Sequence, residues 1–276
     1  MSKVGIIMLK KITELKTLCE QTDGVQLKLN EDTIQSGEGV KMFYHFKGDE
    51  LIAYLGVYYF GSVGEVCGMV HPDYRRQGLF SALFKEACDA VPDMGIKTML
   101  LNTPAQSESG QAFVKSVKAT YKMTEYQMKW EPQIIPAASE AVSIRQAEEK
   151  DRQFQIKLDA KGFSVPVEDA EQFLNAERND PSTITYIIEW NGVPAGKIRI
   201  HSNDDQKWIY GFVVSSDLRG KGIGRNALLL VLNQLQQENA EVHLEVEAEN
   251  KGPLKLYESC GFKVYHAQDY FNFPLS

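Results

Sequence analysis

The sequence predicts a mixed α/β protein that consists of two similar halves. The segment Val70–Leu83 resembles the segment Val214–Ala227, and the two match at a constant offset of 214 − 70 = 144 residues. In each half, strand-like runs lead into this segment and a helix-like run follows it. The length of 276 residues fits two domains, because single domains usually have about 100–200 residues. We therefore predict one domain at residues 1–135 and a second at residues 136–276.

Composition and charge limit the classes of function. Hydrophobic residues make up 43% and charged residues 24% of the chain, which is typical of a globular protein. The formal net charge of -7 argues against nucleic acid as a partner. No apolar run approaches the ~20 residues that a membrane-spanning helix needs, so we expect no membrane partner and no signal peptide. The four cysteines form no close pair, and we expect reduced thiols in a cytoplasmic protein without a disulfide framework or a metal site.

The first half begins with a predicted helix. Met8, Ile12, Leu15 and Cys19 are spaced as on one face of a helix, which we expect to run from Met8 to Glu20. Three strands and a second helix follow, at residues 42–46, 51–59, 64–70 and 81–90.

The second half repeats this order. The dipeptide Asn191-Gly192 separates two β-rich runs, which is a strong signal for a hairpin. Val242, Leu244 and Val246 alternate with polar residues and so share one face of a later strand. The predicted strands are 185–190, 193–200, 208–214, 242–248, 262–265 and 270–273, and the predicted helices are 226–237 and 253–259. The proline-containing stretch 130–140 is the predicted linker between the halves.

The loop Arg219–Arg225 joins a strand to a helix and carries the chemistry of the second half. A helix N-terminus presents unpaired backbone N–H groups and a partial positive charge, which together bind anions. Glycines at 220, 222 and 224 let the backbone approach a phosphate closely, and Lys221 and Arg225 add positive charge. A pyrophosphate is therefore the expected ligand. The spacing excludes a Walker loop and the dinucleotide-binding GxGxxG pattern.

The pattern Arg-x-x-Gly-x-Gly, formed by Arg219, Gly222 and Gly224, resembles the coenzyme A pyrophosphate loop of the GNAT superfamily of N-acyltransferases. The resemblance continues in segments similar to the second signature of that family, which are Leu244–Val246, Asn250 and Leu256–Phe262. It implies two tandem GNAT-like domains, each with a mostly antiparallel central sheet flanked by helices. It also implies an acetyl-CoA-dependent N-acetyltransferase whose acceptor is a primary amine of a small molecule or peptide.

The same resemblance implies the site residues. Tyr257 matches a tyrosine that protonates the leaving thiolate in many members of the family. A tyrosine with a pKa of about 10 remains a proton donor at neutral pH. The residues implied to bind acetyl-CoA are Phe212, Val213, Val214, Arg219, Gly220, Lys221, Gly222, Ile223, Gly224, Arg225 and Asn250.

The first half departs from the family pattern. It keeps Arg75 and Gly78, but Phe80 stands where the last loop glycine belongs and Val114 stands at the tyrosine position. Glu65 begins the strand before this loop, where the family often has a carboxylate that deprotonates the amine through water. The resemblance therefore implies a degenerate N-terminal domain and a catalytic C-terminal domain.

The sequence leaves the general base open. We name Glu245 as the catalytic carboxylate, and the other candidates are Glu247, His243, His201, Asp204 and Asp205. The missing base and the degenerate first half also leave an alternative function, a non-catalytic acyl-CoA-binding regulatory module. We expect either a monomer that is a pseudo-dimer of domains or a homodimer.

Overall fold

The computed structural model describes residues 3–203 and 205–275 and confirms the mixed α/β class. The chain divides into two compact units. Unit 1 comprises the chain up to Glu125 together with the residues from His266 on, and unit 2 runs from Tyr126 to Tyr265. None of the helices within the described ranges combines the length and the apolar character that crossing a bilayer requires.

Helices and strands follow each other in a similar order in the two units. Unit 1 contains α1 (Lys3–Asp23), α2 (Glu31–Ser36), β1 (Val40–Lys47), β2 (Glu50–Phe60), β3 (Val63–Val70), α3 (Leu79–Ala90), β4 (Thr98–Pro104), α4 (Glu108–Ser116) and the start of β5 (Thr120–Trp130). Unit 2 contains the end of β5, then β6 (Val142–Gln146), α5 (Arg152–Gly162), α6 (Val167–Arg178), β7 (Thr183–Trp190), β8 (Val193–Asn203), β9 (Gln206–Val214), α7 (Ile223–Gln237), β10 (Glu241–Glu247), α8 (Lys251–Ser259) and the start of β11 (Phe262–Pro274).

In unit 1, the sheet separates two groups of buried side chains. β1, β2 and β3 pair antiparallel, and β3 then pairs parallel with β4. Side chains alternate along a strand, so that Leu55 and Val57 of β2 pack with α3 whereas Tyr54 and Tyr58 pack with α1. The predicted apolar face of α1 is confirmed, because Met8, Ile12, Leu15 and Cys19 all belong to this second group.

In unit 2, β6 to β9 pair antiparallel and β9 pairs parallel with β10. The predicted turn at Asn191 and Gly192 is present, and both residues have positive φ angles of 51° and 77°. One face of the sheet packs on α7 through a core that includes Ile198, Ile200, Leu228, Leu232, Val242, Leu244 and Val246. Burial of each such side chain contributes about 1.5–3 kcal/mol. The predicted shared face of β10 is therefore confirmed.

Two local predictions need correction. The closing strands predicted at residues 262–265 and 270–273 form one strand, β11. Polar residues between them, such as Gln268, break the hydrophobic pattern, yet the backbone stays paired there because Ala105 N–H donates to the Ala267 carbonyl at 2.9 Å. The helices α5 and α6 were not predicted, since α5 buries the polar residues Gln155 and Asp159 along with Ile156 and Leu158.

The units do not meet at the predicted boundary of residues 135 and 136. Residues Gln268–Pro274 of β11 pair antiparallel with β4, which keeps the end of the chain in unit 1. The end of β5 belongs to unit 2, where the Trp130 indole N–H donates to the Cys260 carbonyl at 2.9 Å. Strand hydrogen bonds, which the sequence does not display, decide the boundary, and the proline-containing stretch lies inside unit 2.

The close packing of β8 on β9 yields a stability prediction. A Cβ atom at Gly196 would lie 2.5 Å from the Val213 carbonyl oxygen and 3.1 Å from the Val214 Cα. Backbone atoms in a sheet cannot yield easily, so we expect Gly196→Ala to lower the free energy of unfolding by about 1–3 kcal/mol in a urea titration. Gly252→Ala is the matched control, because its Cβ would meet nothing within 4 Å. Equal stability of the two variants would contradict this packing.

Candidate active site

An opening in the sheet of unit 2 lies where two parallel strands stop pairing. β9 pairs with β10 from Gln206 and Glu241 as far as Ile209 and Leu244. Both strands continue beyond that point, β9 to Val214 and β10 to Glu247, without further pairing between them in the part of the chain that the structure describes. The β9 backbone facing this opening can therefore hydrogen-bond to a ligand.

A β-bulge sits in β9 beside the opening. The pairing of β8 with β9 shifts after Lys197, so that Ile198 lies opposite both Gly211 and Phe212. Gly211 has a φ angle of 53°, in the left-handed region where glycine carries little strain. A bulge locally turns the backbone out of the regular ladder and redirects its N–H groups. The bulge thus changes the direction of the strand where the opening begins.

The loop that is predicted to bind an anion contains two glycines in left-handed backbone conformation. Gly220 and Gly222 have φ angles of 78° and 76°, and Gly222 is the N-cap of α7. Arg219 Nε donates to the Val214 carbonyl at 3.1 Å, which fastens the loop to the end of β9. The Lys221 ammonium lies 4.5 Å from the centre of the Trp190 ring, a cation–π contact. The N-terminus of α7 is therefore presented by two left-handed residues, with Lys221 and the exposed Arg225 nearby.

Strand, loop and α8 converge at Gly224. A Cβ atom at this position would lie 3.5 Å from Phe212, 3.6 Å from Val214 and 3.7 Å from Leu256. The Phe212 ring in turn lies 6.3 Å from the Tyr257 ring, centre to centre. The structure thus brings together three parts of the predicted site: the strand residues, the last loop glycine and the candidate acid.

Tyr257 has the environment of a protonated hydroxyl. Its side chain is buried within the α7 core and only 8% exposed. Burial raises the pKa of Tyr257 to about 12, because the phenolate would lose its hydration. The hydroxyl therefore keeps its proton at neutral pH and can donate it to a basic atom that enters the site.

The other predicted site residues lie on the neighbouring elements of unit 2. Ile223 is buried at the start of α7, Val213 is buried in β9, and Asn250 is the N-cap of α8 with no side-chain cap hydrogen bond. Glu245 lies on the face of β10 opposite the α7 core, where Gln127 Nε2 donates to its Oε1 at 2.9 Å. The candidate acid and the candidate carboxylate therefore belong to opposite faces of the sheet.

The alternative bases have different surroundings. His243 is 4% exposed and stacks on Trp208 at 5.0 Å, and burial lowers the pKa of its imidazole. His201 Nδ1 lies 3.2 Å from an Asp180 carboxylate oxygen. Glu247 and Asp205 are exposed, and Asp204 lies outside the described residues. Glu245 and His201 are partly buried, and Glu245 accepts a hydrogen bond from the side-chain amide of Gln127 on β5.

Unit 1 repeats the backbone of the loop. Arg75 Nε donates to the Val70 carbonyl at 3.1 Å, and Arg76 and Gly78 have φ angles of 61° and 81°. The Arg75 guanidinium is also paired with both carboxylate oxygens of Asp23, at 2.7 and 2.9 Å. The loop geometry is thus kept, although the arginine is neutralised by a partner.

The sequence did not predict a cavity of about 480 Å³ in unit 1, a volume within the range of ligand sites. It lies where β3 and β4 stop pairing, after Val66 and Leu101. Near it, Asn102 Nδ2 donates to Glu65 Oε1 at 2.8 Å. The residues that line it include Lys28, Cys67, Gly68, Phe80, Asn102 and Phe113.

Two positions exchange a large and a small side chain between the units. In unit 2, Phe212 on the strand contacts the site of Gly224 at the helix. In unit 1, Gly68 is on the strand, and a Cβ there would lie 2.6 Å from the Phe80 ring. Both pairs are related by the offset of 144 residues. An aromatic ring therefore lies beside the loop in each unit but comes from opposite sides.

Comparisons with known proteins identify the family of the chain. The family model described as "Acetyltransferase (GNAT) family" matches residues 9–115 and 147–262. A mycothiol acetyltransferase of Nocardiopsis dassonvillei is 26% identical over 240 residues, which cover 73% of this chain and 71% of that protein.

Two solved structures share the fold of the whole chain. A GCN5-related N-acetyltransferase from Sphaerobacter thermophilus has a TM-score of 0.79 at 22% identity, covering 96% of this chain and 92% of its own. A tandem GNAT protein from the clavulanic acid biosynthesis pathway has a TM-score of 0.75 at 14% identity, covering 97% and 95%. Because the family model matches most of both halves, the chain belongs to the acetyltransferase (GNAT) family.

Proposed function

We propose that the chain is an acetyl-CoA-dependent N-acetyltransferase in which unit 2 is catalytic and the acceptor is a primary amine of a small molecule or peptide. Membership of the GNAT family supports acetyl transfer as the general chemistry. The observation that carries the assignment to unit 2 is the convergence of Phe212, Gly224 and Tyr257 beside the opening between β9 and β10.

The residues of unit 2 fit coenzyme A. Left-handed Gly220 and Gly222 leave the N-terminus of α7 open to a pyrophosphate, and Arg219, Lys221 and Arg225 supply countercharge. The unpaired edge of β9 at Phe212, Val213 and Val214 offers backbone groups to the pantetheine arm, with Ile223 and Asn250 completing the set. Bound acetyl-CoA supplies a thioester carbonyl, at which an amine nitrogen forms an amide while the carbon–sulfur bond breaks.

Tyr257 and Glu245 handle the two protons of this reaction. The buried Tyr257 hydroxyl is protonated at neutral pH and donates to the departing sulfur. Glu245, held by Gln127, takes a proton from the amine on the opposite face of the sheet. Glu245 then gives its proton to solvent and the Tyr257 phenolate takes one from solvent, so that both groups return to their starting states. Bringing both substrates together at the opening supplies a large part of the acceleration by proximity.

A second candidate function is non-catalytic acyl-CoA binding, and the observation that favours it lies in unit 1. The loop from Arg75 to Phe80 keeps the left-handed geometry and borders a cavity of about 480 Å³, whereas Val114 replaces the tyrosine. In this second function, unit 1 binds an acyl-CoA without catalysing its reaction.

Location and assembly are separate parts of the proposal. The four cysteines are free thiols, which supports the proposed cytoplasmic location. The duplicated units support either a monomer or a homodimer.

A thiol-release screen separates catalysis from binding alone. Acetyl-CoA is incubated with L-lysine, spermidine, glucosamine, kanamycin or a tripeptide, and free coenzyme A is measured with a thiol reagent. We expect amine-dependent release with at least one acceptor class, accompanied by the acetylated amine in mass spectrometry. Binding of acetyl-CoA without release for any acceptor would support the binding module and contradict the transferase.

Removal of the candidate acid tests the mechanism. We expect Tyr257→Phe to lower kcat by about 10²-fold, as general acid catalysis contributes 10²–10⁴-fold, while the Kd for acetyl-CoA changes little. Steady-state thiol release and calorimetry give the two quantities. Tyr186→Phe, a partly buried tyrosine of β7 in the same unit, is the control. An unchanged kcat removes Tyr257 from the mechanism.

Removal of loop charge tests the binding site. The double variant Lys221→Gln/Arg225→Gln should raise the Kd for acetyl-CoA by about tenfold or more, because each lost charged hydrogen bond to phosphate is worth about 1.5–3 kcal/mol. The double variant Lys251→Gln/Lys255→Gln removes the same charge from exposed positions of α8 and should leave the Kd unchanged. Equal affinities of the two variants would contradict phosphate binding at this loop.

A further inference from the structure

Two cations of β8 lie directly beneath the bulge in β9. Lys197 is 1% exposed and Arg199 is largely buried. A Cβ atom at Gly211 would lie 3.8 Å from Lys197 Cε and 3.8 Å from Arg199 Cζ. Both side chains therefore converge on the bulged residue from the face opposite the α7 core.

Carboxylates of the two helices that cover this face hold the cations. Lys197 Nζ donates to Asp159 Oδ2 of α5 and lies 3.9 Å from Glu177 Oε2 of α6, and Arg199 pairs with Glu177 Oε1. Two buried oxygens of this cluster, Asp159 Oδ1 and Glu177 Oε2, have no hydrogen-bond donor among the described residues. We call Asp159, Glu177, Lys197 and Arg199 the ionic layer.

Stability alone does not account for the ionic layer. Moving two charges out of water costs several kcal/mol per ion, and a buried pair recovers this only when all of its hydrogen bonds are made. Here two acceptors stay unsatisfied, which adds a cost for each. Apolar residues of similar volume would commonly serve the fold as well or better.

Unit 1 provides the comparison within the same chain. Lys197 pairs with Val213, and the residue that pairs with the matching Met69 is Tyr54. Tyr54 is fully buried against an α1 face formed by Ile12, Leu15 and Cys19, with no ion pair in that layer among the described residues. The pairing of β2 with β3 runs without a register shift, so this strand has no bulge. The fold therefore forms without these charges, and they accompany the bulge.

We propose that Lys197, held by Asp159, is a positioning residue for acyl transfer in unit 2. This inference rests on the proposed function, because it adds a further residue to the same site. Lys197 fixes the segment Tyr210–Phe212 in its bulged conformation, so that the β9 backbone N–H groups point into the opening. Negative charge develops on the thioester oxygen as the amine nitrogen bonds to carbon, and backbone N–H groups held in place beforehand at that oxygen lower the barrier.

The decisive experiment compares Lys197→Met with the double variant Lys197→Met/Asp159→Leu. Lys197→Met keeps the length of the side chain and strands the Asp159 carboxylate, so both melting temperature and kcat should fall. The double variant removes the Lys197–Asp159 pair as a whole and leaves Arg199 paired with Glu177, so no charge is stranded and its melting temperature should recover to the wild-type value or above. Its kcat should remain about tenfold or more below wild type, since a backbone oxyanion donor alone contributes 10²–10³-fold. Its Kd for acetyl-CoA should stay within about twofold, because the loop is untouched.

Controls and outcomes keep this proposal separate from the proposed function. Lys263→Met removes an exposed cation paired with Glu131 and should change neither kcat nor stability. Lys197→Arg should restore part of the activity. A double variant with wild-type kcat in an active wild-type background overturns the positioning role and leaves acetyl transfer intact. A wild-type protein that releases no coenzyme A with any acceptor of the panel overturns acetyl transfer itself, and the positioning role with it.

Discussion

The end of parallel pairing between β9 and β10 is the constraint on which the rest of unit 2 depends. Backbone groups in a sheet need hydrogen-bond partners, and those of β9 after Ile209 find none on β10 within the described chain. The bulge at Gly211 turns these groups, and the loop that follows places the N-terminus of α7 at the end of the same strand. A ligand with a polar chain and a phosphate at one end matches both features at once.

The two units show how one backbone plan carries two different sets of side chains. Loop dihedrals and the arginine contact to the end of the strand are nearly the same in both, with Nε to carbonyl distances of 3.1 Å. The units differ in their side chains and in the strand pairing, since β9 has one extra residue relative to β8 whereas β3 has none relative to β2. Unit 2 has the bulge, the ionic layer and Tyr257, whereas unit 1 has a regular strand, a layer of uncharged side chains and Val114. We infer that binding geometry depends on the loop and that catalysis depends on what surrounds the opening.

The sequence was most informative where a local conformation requires a particular residue. Asn191-Gly192 predicted a hairpin, and the structure has a turn there in which both residues have positive φ angles. The glycines of the Arg219–Arg225 loop marked a backbone open to a phosphate, and Gly220 and Gly222 are left-handed in the structure. Features that depend on distant pairing could not be read in this way. The bulge at Gly211 exists only relative to β8, and the boundary between the units follows from the pairing of β11 with β4. In β8, Lys197 and Arg199 alternate with Ile198 and Ile200, and this pattern indicates a strand with one charged face. The pattern does not indicate that carboxylates of α5 and α6 pair with these two cations.

A crystal structure of the full chain with bound acetyl-CoA tests most directly whether unit 2 is the catalytic unit. Catalysis by unit 2 predicts the pyrophosphate on the backbone from Arg219 to Arg225 and the thioester sulfur within about 3.5 Å of the Tyr257 hydroxyl, the reach of a hydrogen bond. Acetyl-CoA bound only in the unit 1 cavity, or in unit 2 with its sulfur far from Tyr257, would contradict it.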